Sequence, residues 1–509
     1  VQAMQVTLTC LSIVSGRPGE PGGSSFRAFD PMAGENLEPR YHSASVRQTS
    51  SACSAAAAAF PACRKIMPSH RAFFLRTIAR NLERMREVLL PRFCLESGLK
   101  EERAETELVR TCYQLRSFAA EIESGNWDRL ESEPADPARQ PAPRPSLSRR
   151  YLPVGPVAIF GPANFPLAYS VAGGDTASAL AAGCPVVVKA HCSHPGVSEL
   201  SAKAILAAMA ECGIPDGVFS LIFDAGKEAA EIIVSHPGIC AVGFTGSQRG
   251  GRALFDLAQA RPSPIPFFAE MSSINPVCVL RGPLENNPAA LAGAYFHSLT
   301  LCCGQFCTNP GLLLLEDCPG AQVFLSDLRE RLAQAAPATM LNPAIAGAYE
   351  SKLAMIQSEP GVEVLVSPQP LSGAGCCDAS PALFEASCEA FCNSPILQSE
   401  VFGPAAVVVL CENTSQMCHA LSALGGQLTL SIHASSEELV GEVDLVSQAE
   451  TLAGRLILNG FPTGVEVAPA MVHGGPYPAT TDGRFTAVGS RAVDRFLRPV
   501  CLQGFAESK

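Results

Sequence analysis

Apolar residues recur at helical spacing from Ser69 to Leu95, where Phe73, Phe74, Ile78, Leu82, Met85 and Leu89 predict one amphipathic helix. Glu101 to Glu123 repeats the pattern, with Leu108, Cys112, Leu115 and Phe118 on one face. Residues 1–50 are polar and turn-rich and read as an extended arm. Glu131 to Arg149 is proline-rich, charged and without period, which predicts a linker or an edge strand. From Val154 the texture changes. Val157 to Phe160 and Pro185 to Lys189 are continuous apolar runs of the kind that form buried strands. Ser198 to Cys212 is an alanine-rich helix, Val218 to Phe223 a further strand, and Ala241 to Phe244 another, ending in Thr245-Gly246-Ser247 at a helix start. This strand–helix alternation predicts an α/β fold with a parallel sheet covered on both faces. A second α/β section follows Ile274, and Ala492 to Leu502 is placed to supply an edge strand for assembly.

Composition narrows the class. A chain of 509 residues exceeds one hydrophobic core, so two or three domains are expected. The sequence is 47% apolar and only 17% charged, with mean hydropathy +0.18, which suits a large buried interior or an extensive subunit interface. It holds no run of about 18 apolar residues, so no membrane span is expected. A net charge of −11 and a pI near 5.4 leave no electrostatic footprint for nucleic acid. Val1 to Gly23 lacks the basic start of a signal peptide, and a cytoplasmic location is expected. The 21 cysteines are scattered through helices and strands (Cys112, Cys184, Cys212, Cys278) as small hydrophobes. His191-Cys192-Ser193-His194 has no second ligand cluster to complete a metal site, so no metal is expected.

Chemistry concentrates in five segments. Gly304-Gln305-Phe306-Cys307-Thr308-Asn309-Pro310-Gly311 puts a cysteine in a loop where backbone N–H groups can turn toward its sulfur. Gly161-Pro162-Ala163-Asn164-Phe165-Pro166 presents Asn164 from a proline-pinned turn after a strand, either as a donor to an oxyanion or as a local backbone cap. Glu270 is the one carboxylate in the run from Ser263 to Leu280. Apolar surroundings should raise its pKa and suit it to general-base work, unless it is a surface acid at a strand end. Phe244-Thr245-Gly246-Ser247 offers N–H groups and a hydroxyl to a pyrophosphate. Glu400-Val401-Phe402-Gly403-Pro404 offers a carboxylate for ribose hydroxyls beside an aromatic ring.

Taken together, and with the strand-borne Lys189, these segments resemble the aldehyde dehydrogenase superfamily: an asparagine turn, a lysine, an FTGS turn, a glutamate, a GQxC cysteine and an ExFGP segment, in that order from Asn164 to Pro404. Ser170 to Ala177, Glu270 to Pro276, Phe461 to Val467, Met471 to Pro476 and Arg495 to Val500 are similar to the 2-oxoglutarate semialdehyde (2,5-dioxovalerate) dehydrogenases. Ala468-Pro469 departs from that subgroup, which carries Cys-His there.

The resemblance implies a Rossmann-like coenzyme domain (1–127 and 152–272), an α/β catalytic domain (273–484) and a small β bridging element (128–151 and 485–509). It implies a covalent mechanism. Cys307 attacks the aldehyde, Asn164 and the Cys307 N–H hold the oxyanion, hydride leaves to the nicotinamide, and Glu270 activates the water that hydrolyses the thioester. Lys189 and Glu400 would bind ribose hydroxyls, Phe244, Gly246 and Ser247 would form the pyrophosphate turn, and Phe402 would pack near the nicotinamide ribose. Cys302 and Cys303 read as packing residues. Cys192 stands where NAD-preferring members carry a glutamate; with His191 adjacent to it and Lys227 in the loop after the next strand, Val218 to Phe223, the expected coenzyme is NADP, with NAD as the alternative. Arg110, Arg116 and Arg484 are the candidates for a distal substrate carboxylate. A homodimer or homotetramer is expected. The competing readings are a fatty aldehyde dehydrogenase, a CoA-acylating or phosphorylating relative, and a non-catalytic scaffold.

Overall fold

In a computed structural model that describes residues 7–369 and 377–505, the valine-rich runs become the middle of a sheet. Its spatial order is Phe267–Glu270, Ala241–Thr245, Val157–Phe160, Val186–Lys189 and Phe219–Ile222, all parallel, with Ile13–Val14 and Arg17–Pro18 added antiparallel at the far edge. Alternate residues feed two cores. Val157, Ile159, Val186 and Val188 face the helices Pro68–Arg84, Glu101–Ser124 and Pro195–Cys212, while Ala158, Phe160, Val187 and Val242 face Val46–Cys63 and Glu228–Ser235. Both faces are buried, which is why these strands read as unbroken apolar runs. Each buried valine or leucine contributes roughly 1.5–3 kcal/mol. Chain order reverses between Val157–Phe160 and Ala241–Thr245, so the loops after these strands part and leave a crevice. Those loops carry Asn164 and Ser247.

Only five residues, Met271 to Asn275, separate the end of this sheet from the first strand of a second one. Its order is Val362–Val366, Ala382–Ala386, Ala405–Cys411, Leu312–Glu316, Pro276–Val279, Gln427–His433 and Ala453–Leu458, parallel except for the first strand. The short link turns the carboxyl ends of the first sheet toward the amino ends of the second. The Cys307 loop enters Leu312–Glu316 and the Glu400 segment enters Ala405–Cys411, so both arrive at that junction. A separate antiparallel sheet joins Leu497–Gln503, Leu147–Pro153 and Glu131–Glu133, and so resolves the aperiodic Glu131 to Arg149 segment into strand at both ends.

Two expectations change. The helix predicted from Ser69 to Leu95 is two, Pro68–Arg84 and Arg86–Ser97, parted at Met85. Leu82 and Leu89 on either side are both fully buried in one core, so the apolar spacing runs across the break and hides it. The first 50 residues are not simply an arm: Ile13–Val14 joins the main sheet, and Val46 opens an 18-residue helix. That helix buries small residues (Thr49, Ala52, Cys53, Ala56) and carries little apolar contrast for a periodicity to show.

Candidate active site

The Cys307 loop is fixed by side-chain amides. Asn275 Nδ2 donates to the carbonyls of Cys307 (2.8 Å) and Asn309 (2.9 Å), and Asn309 Nδ2 donates to Gly403 O (3.0 Å). Tyr295 Oη donates to Pro310 O at 2.6 Å. Gly304 adopts φ +62°, and a Cβ there would sit 2.5 Å from the Gly403 backbone, so only glycine lets the loop meet the Glu400 segment this closely. Asn164, from the other sheet, donates Nδ2 to Gln305 O at 2.9 Å. This bond uses one of its two amide N–H groups and leaves the other for a ligand oxygen.

Two cavities meet at this loop. One, of about 590 Å³, is lined by Asn164, His191, Phe244, Ser247, Glu270 and Phe402, with Gly246 and Glu400 also on its wall. The other, of about 830 Å³, is lined by Arg103, Arg110, Phe165, Tyr169, Phe306 and Val465 among others. Among the described residues, Cys307 alone lines both.

Beside the thiol stands a pair the sequence only half revealed. Glu270 and His473 are 3% and 1% exposed, and His473 Nε2 lies 2.8 Å from Glu270 Oε2 and 3.6 Å from Cys307 Sγ. Glu270 ends its strand in a bridge to Thr480, and Met271 N donates to Ala479 O, so the segment that carries His473 is stitched to the strand that carries Glu270. Neither Glu270 oxygen has an aligned hydrogen-bond donor among the described residues. The expected upward pKa shift of Glu270 is reversed. Burial does push its carboxyl up, but the charge of His473, contacts with His473 and Cys307, and Arg495 together hold it below the usual carboxylate value. Sequence reasoning counted only the apolar neighbours along the chain and missed an imidazole brought to 2.8 Å from the carboxylate from 203 positions away. His473 sits in the segment Met471 to Pro476, which shares in the family resemblance without an assigned chemistry; a lone histidine in a glycine turn was the signal for it.

Cys307 moves the other way. Burial and the adjacent Glu270 charge push its thiol well above its ordinary value, so it rests protonated next to two groups that can accept the proton. Glu400 is pushed up to about 7 by burial, against a hydrogen bond from Ser272 and one from the Ser273 N–H.

The remaining candidates divide by position. Ser247 caps the helix Gln248–Gln259, whose N-terminus borders the smaller cavity. Lys189 ends its strand in register with Ile222. The neighbouring strand leads through Asp224 to the exposed Lys227, which precedes the helix Glu228–Ser235. Cys192 is half-buried; like Lys189 and Lys227, it is not on the wall of the smaller cavity, whereas His191 is. Asp224 is committed to its own turn, accepting from Gly226 N (2.9 Å) and Ala229 N (3.2 Å).

Of the three arginines, only Arg110 lines a cavity. It donates to Val465 O and to Tyr169 Oη (3.3 Å), and its Nε is buried without a partner. Arg116 is paired with Glu83 at 2.7 Å on the outside of the helix, and Arg484 with Asp482 at 2.6 Å, its side chain 82% exposed. Neither reaches the aldehyde side, which corrects that expectation. Six residues carry Arg116 to a different face from Arg110, whereas Arg103, seven residues earlier, shares its face. Arg103 stacks over Phe165 and Phe306, with its guanidinium 4.4 and 5.0 Å from the ring centres, and pairs with buried Glu107 at 3.1 Å. The i, i+7 spacing was the signal that could have found it.

Comparison with known proteins agrees with this geometry. The model of the aldehyde dehydrogenase family matches residues 19–477. The chain is 44% identical to alpha-ketoglutaric semialdehyde dehydrogenase 2 of Azospirillum brasilense, over 99% of this chain and 95% of the relative. It is 42% identical to alpha-ketoglutaric semialdehyde dehydrogenase of Acinetobacter baylyi, over 92% and 88%. Among solved structures, betaine aldehyde dehydrogenase of Staphylococcus aureus in complex with NAD+ superposes with TM-score 0.83 at 20% identity, covering 98% of each chain. Methylmalonate-semialdehyde dehydrogenase of Oceanimonas doudoroffii gives 0.82 at 19%, again with 98% of each chain covered. With its parallel sheets, its cysteine loop between two cavities and these matches over nearly its whole length, the chain belongs to the aldehyde dehydrogenase family.

Proposed function

We propose that this protein oxidises 2-oxoglutarate semialdehyde to 2-oxoglutarate with NADP, through a thioester on Cys307. The observation that carries the reading is the placement of Cys307 on the wall of both cavities, open to a coenzyme from one side and an aldehyde from the other. The thiol proton passes to Glu270 or His473 as sulfur attacks the carbonyl carbon, and the Asn164 amide holds the oxygen. NADP, when bound, would take up the hydride that leaves the carbonyl carbon, and Glu270, once the thiol proton has been released to solvent, draws a proton from the water that displaces the Cys307 sulfur. The substrate follows from the two relatives above 40% identity, whose names specify this semialdehyde. On this reading 1–127 with 152–272 binds coenzyme, 273–484 is catalytic, and 128–151 with 485–509 serves assembly. A cytoplasmic homodimer or homotetramer completes it, supported by the half-open edge strand Ala453–Leu458, whose Leu458 is 55% exposed. Among the described residues no helix is long and apolar enough to cross a membrane.

Arg110 is the residue we assign to the distal carboxylate, because its buried Nε–H lacks a partner and its helix faces the larger cavity. A charge-assisted hydrogen bond is worth about 1.5–3 kcal/mol, so Arg110→Ala should lower kcat/KM for the acidic aldehyde by roughly 10–100-fold, mostly in KM. Uncharged aldehydes should be nearly unaffected. Equal losses for both would clear Arg110 of this role. A kinetic panel of 2-oxoglutarate semialdehyde, succinate semialdehyde, glutaraldehyde and long-chain aldehydes tests the substrate itself. Better turnover of long-chain aldehydes would favour the fatty aldehyde reading, to which the Phe165, Phe306 and Val465 walls are suited.

The coenzyme preference rests on Cys192. A neutral thiol beside the Lys189 strand end leaves nothing to repel a 2′-phosphate, and Asp224 nearby is tied up in its turn. Cys192→Glu should shift the ratio of kcat/KM values toward NAD, and Lys227→Ala should weaken NADP while sparing NAD. A wild-type enzyme that prefers NAD overturns the assignment.

A further inference from the structure

Cys307, Glu270 and His473 come from three separate segments, and one ligand atom from each lies within 4.8 Å of the other two. The set is a soft thiol, an imidazole nitrogen and a carboxylate, which is the donor mixture zinc takes. In a tetrahedral site with a metal–sulfur bond of about 2.3 Å and a metal–nitrogen bond of about 2.0–2.1 Å, sulfur and nitrogen stand roughly 3.5 Å apart. Cys307 Sγ and His473 Nε2 are 3.6 Å apart, so this pair needs no rearrangement. The 2.8 Å contact between His473 and Glu270 must open by about half an ångström to let a metal in. Both Glu270 oxygens are buried without an aligned donor, so a carboxylate lone pair is already available. The two cavities at Cys307 supply an entry path and room for a fourth ligand.

We propose that Cys307, Glu270 and His473 form a reversible inhibitory site for Zn²⁺, which holds the enzyme inactive by occupying its nucleophile. The proposal rests on the assignment of Cys307 as nucleophile but not on which aldehyde is oxidised. On binding, the Cys307 S–H bond breaks and its proton passes to solvent, sulfur, imidazole nitrogen and carboxylate oxygen each bond the metal, and no oxidation state changes. His473 presents its Nε2 lone pair and so binds as the neutral imidazole. Zinc and aldehyde then compete for one sulfur, whereas coenzyme can still occupy the smaller cavity.

The test uses the full chain with Co²⁺ and Zn²⁺, without aldehyde or coenzyme. Co²⁺ should give a sulfur-to-cobalt charge-transfer band at a stoichiometry of one per chain, which Zn²⁺ displaces and EDTA abolishes. Cys307→Ala should lose the band. His473→Gln and the near-isosteric Glu270→Gln should each weaken binding by at least about tenfold, since even outer-sphere partners of a metal site are worth that much. In wild-type turnover assays Zn²⁺ should inhibit competitively with aldehyde. A band that survives Cys307→Ala unchanged would show that the metal sits on other cysteines and overturn the site. Unchanged affinity in both His473→Gln and Glu270→Gln, with native circular dichroism, would overturn it equally. Because the spectrum is read without substrate, an error in the proposed aldehyde leaves it standing, and its failure leaves the dehydrogenase reading intact.

Discussion

Cys307→Ala should lower kcat for aldehyde oxidation by roughly 10⁴–10⁶, the loss expected when the nucleophile of a covalent mechanism is removed. Coenzyme binding should survive, because the wall of the smaller cavity keeps Ser247, Glu400 and Phe402. Cys302→Ala and Cys303→Ala should retain most activity. Cys303 is 2% exposed and its thiol donates to Ala338 O at 3.4 Å, while Cys302 Sγ accepts from Arg103 at 3.5 Å. These are packing and support contacts on the aldehyde-side wall. Near-normal turnover in Cys307→Ala would remove the nucleophile assignment and with it the thioester.

Glu270→Gln should split the reaction in two. His473 Nε2, 3.6 Å from the sulfur, remains to take the thiol proton, so the first turnover should still release a burst of NADPH. Water activation should fail. A general base contributes typically 10²–10⁴-fold, so the steady rate after the burst should drop by about that factor. Loss of the burst together with the steady rate would make Glu270 the acceptor of the thiol proton as well. Full turnover would place water activation elsewhere, with His473 the next candidate.

Much of this site was legible in the sequence, because its parts are local. Gly304, Asn164, Ser247 and Glu400 each stand in a short turn whose residue types follow from backbone geometry, and the strands between those turns are marked by unbroken valine and leucine. What the sequence hid came from contacts across long separations. His473 reaches Glu270 only because residues 479–481 run beside the strand Phe267–Glu270, and without that pairing the carboxylate looked isolated and its pKa was expected to rise. Arg116 looked equivalent to Arg110 until the helix turned it outward to Glu83. The helix Val46–Cys63 packs through alanine and cysteine, which leave no apolar stripe to read.

The central claim is a covalent acyl-enzyme hydrolysed by water, and intact-protein mass spectrometry of Glu270→Gln reads it directly. The variant is mixed with 2-oxoglutarate semialdehyde and NADP, without CoA or phosphate, and quenched within the burst. The account predicts one added acyl group, with the mass of the semialdehyde less the hydride and proton lost on oxidation, mapped by proteolysis to the peptide that contains Cys307, and absent from the double variant with Cys307→Ala. NADPH formed with no adduct on Cys307, or an adduct on another cysteine, would contradict it.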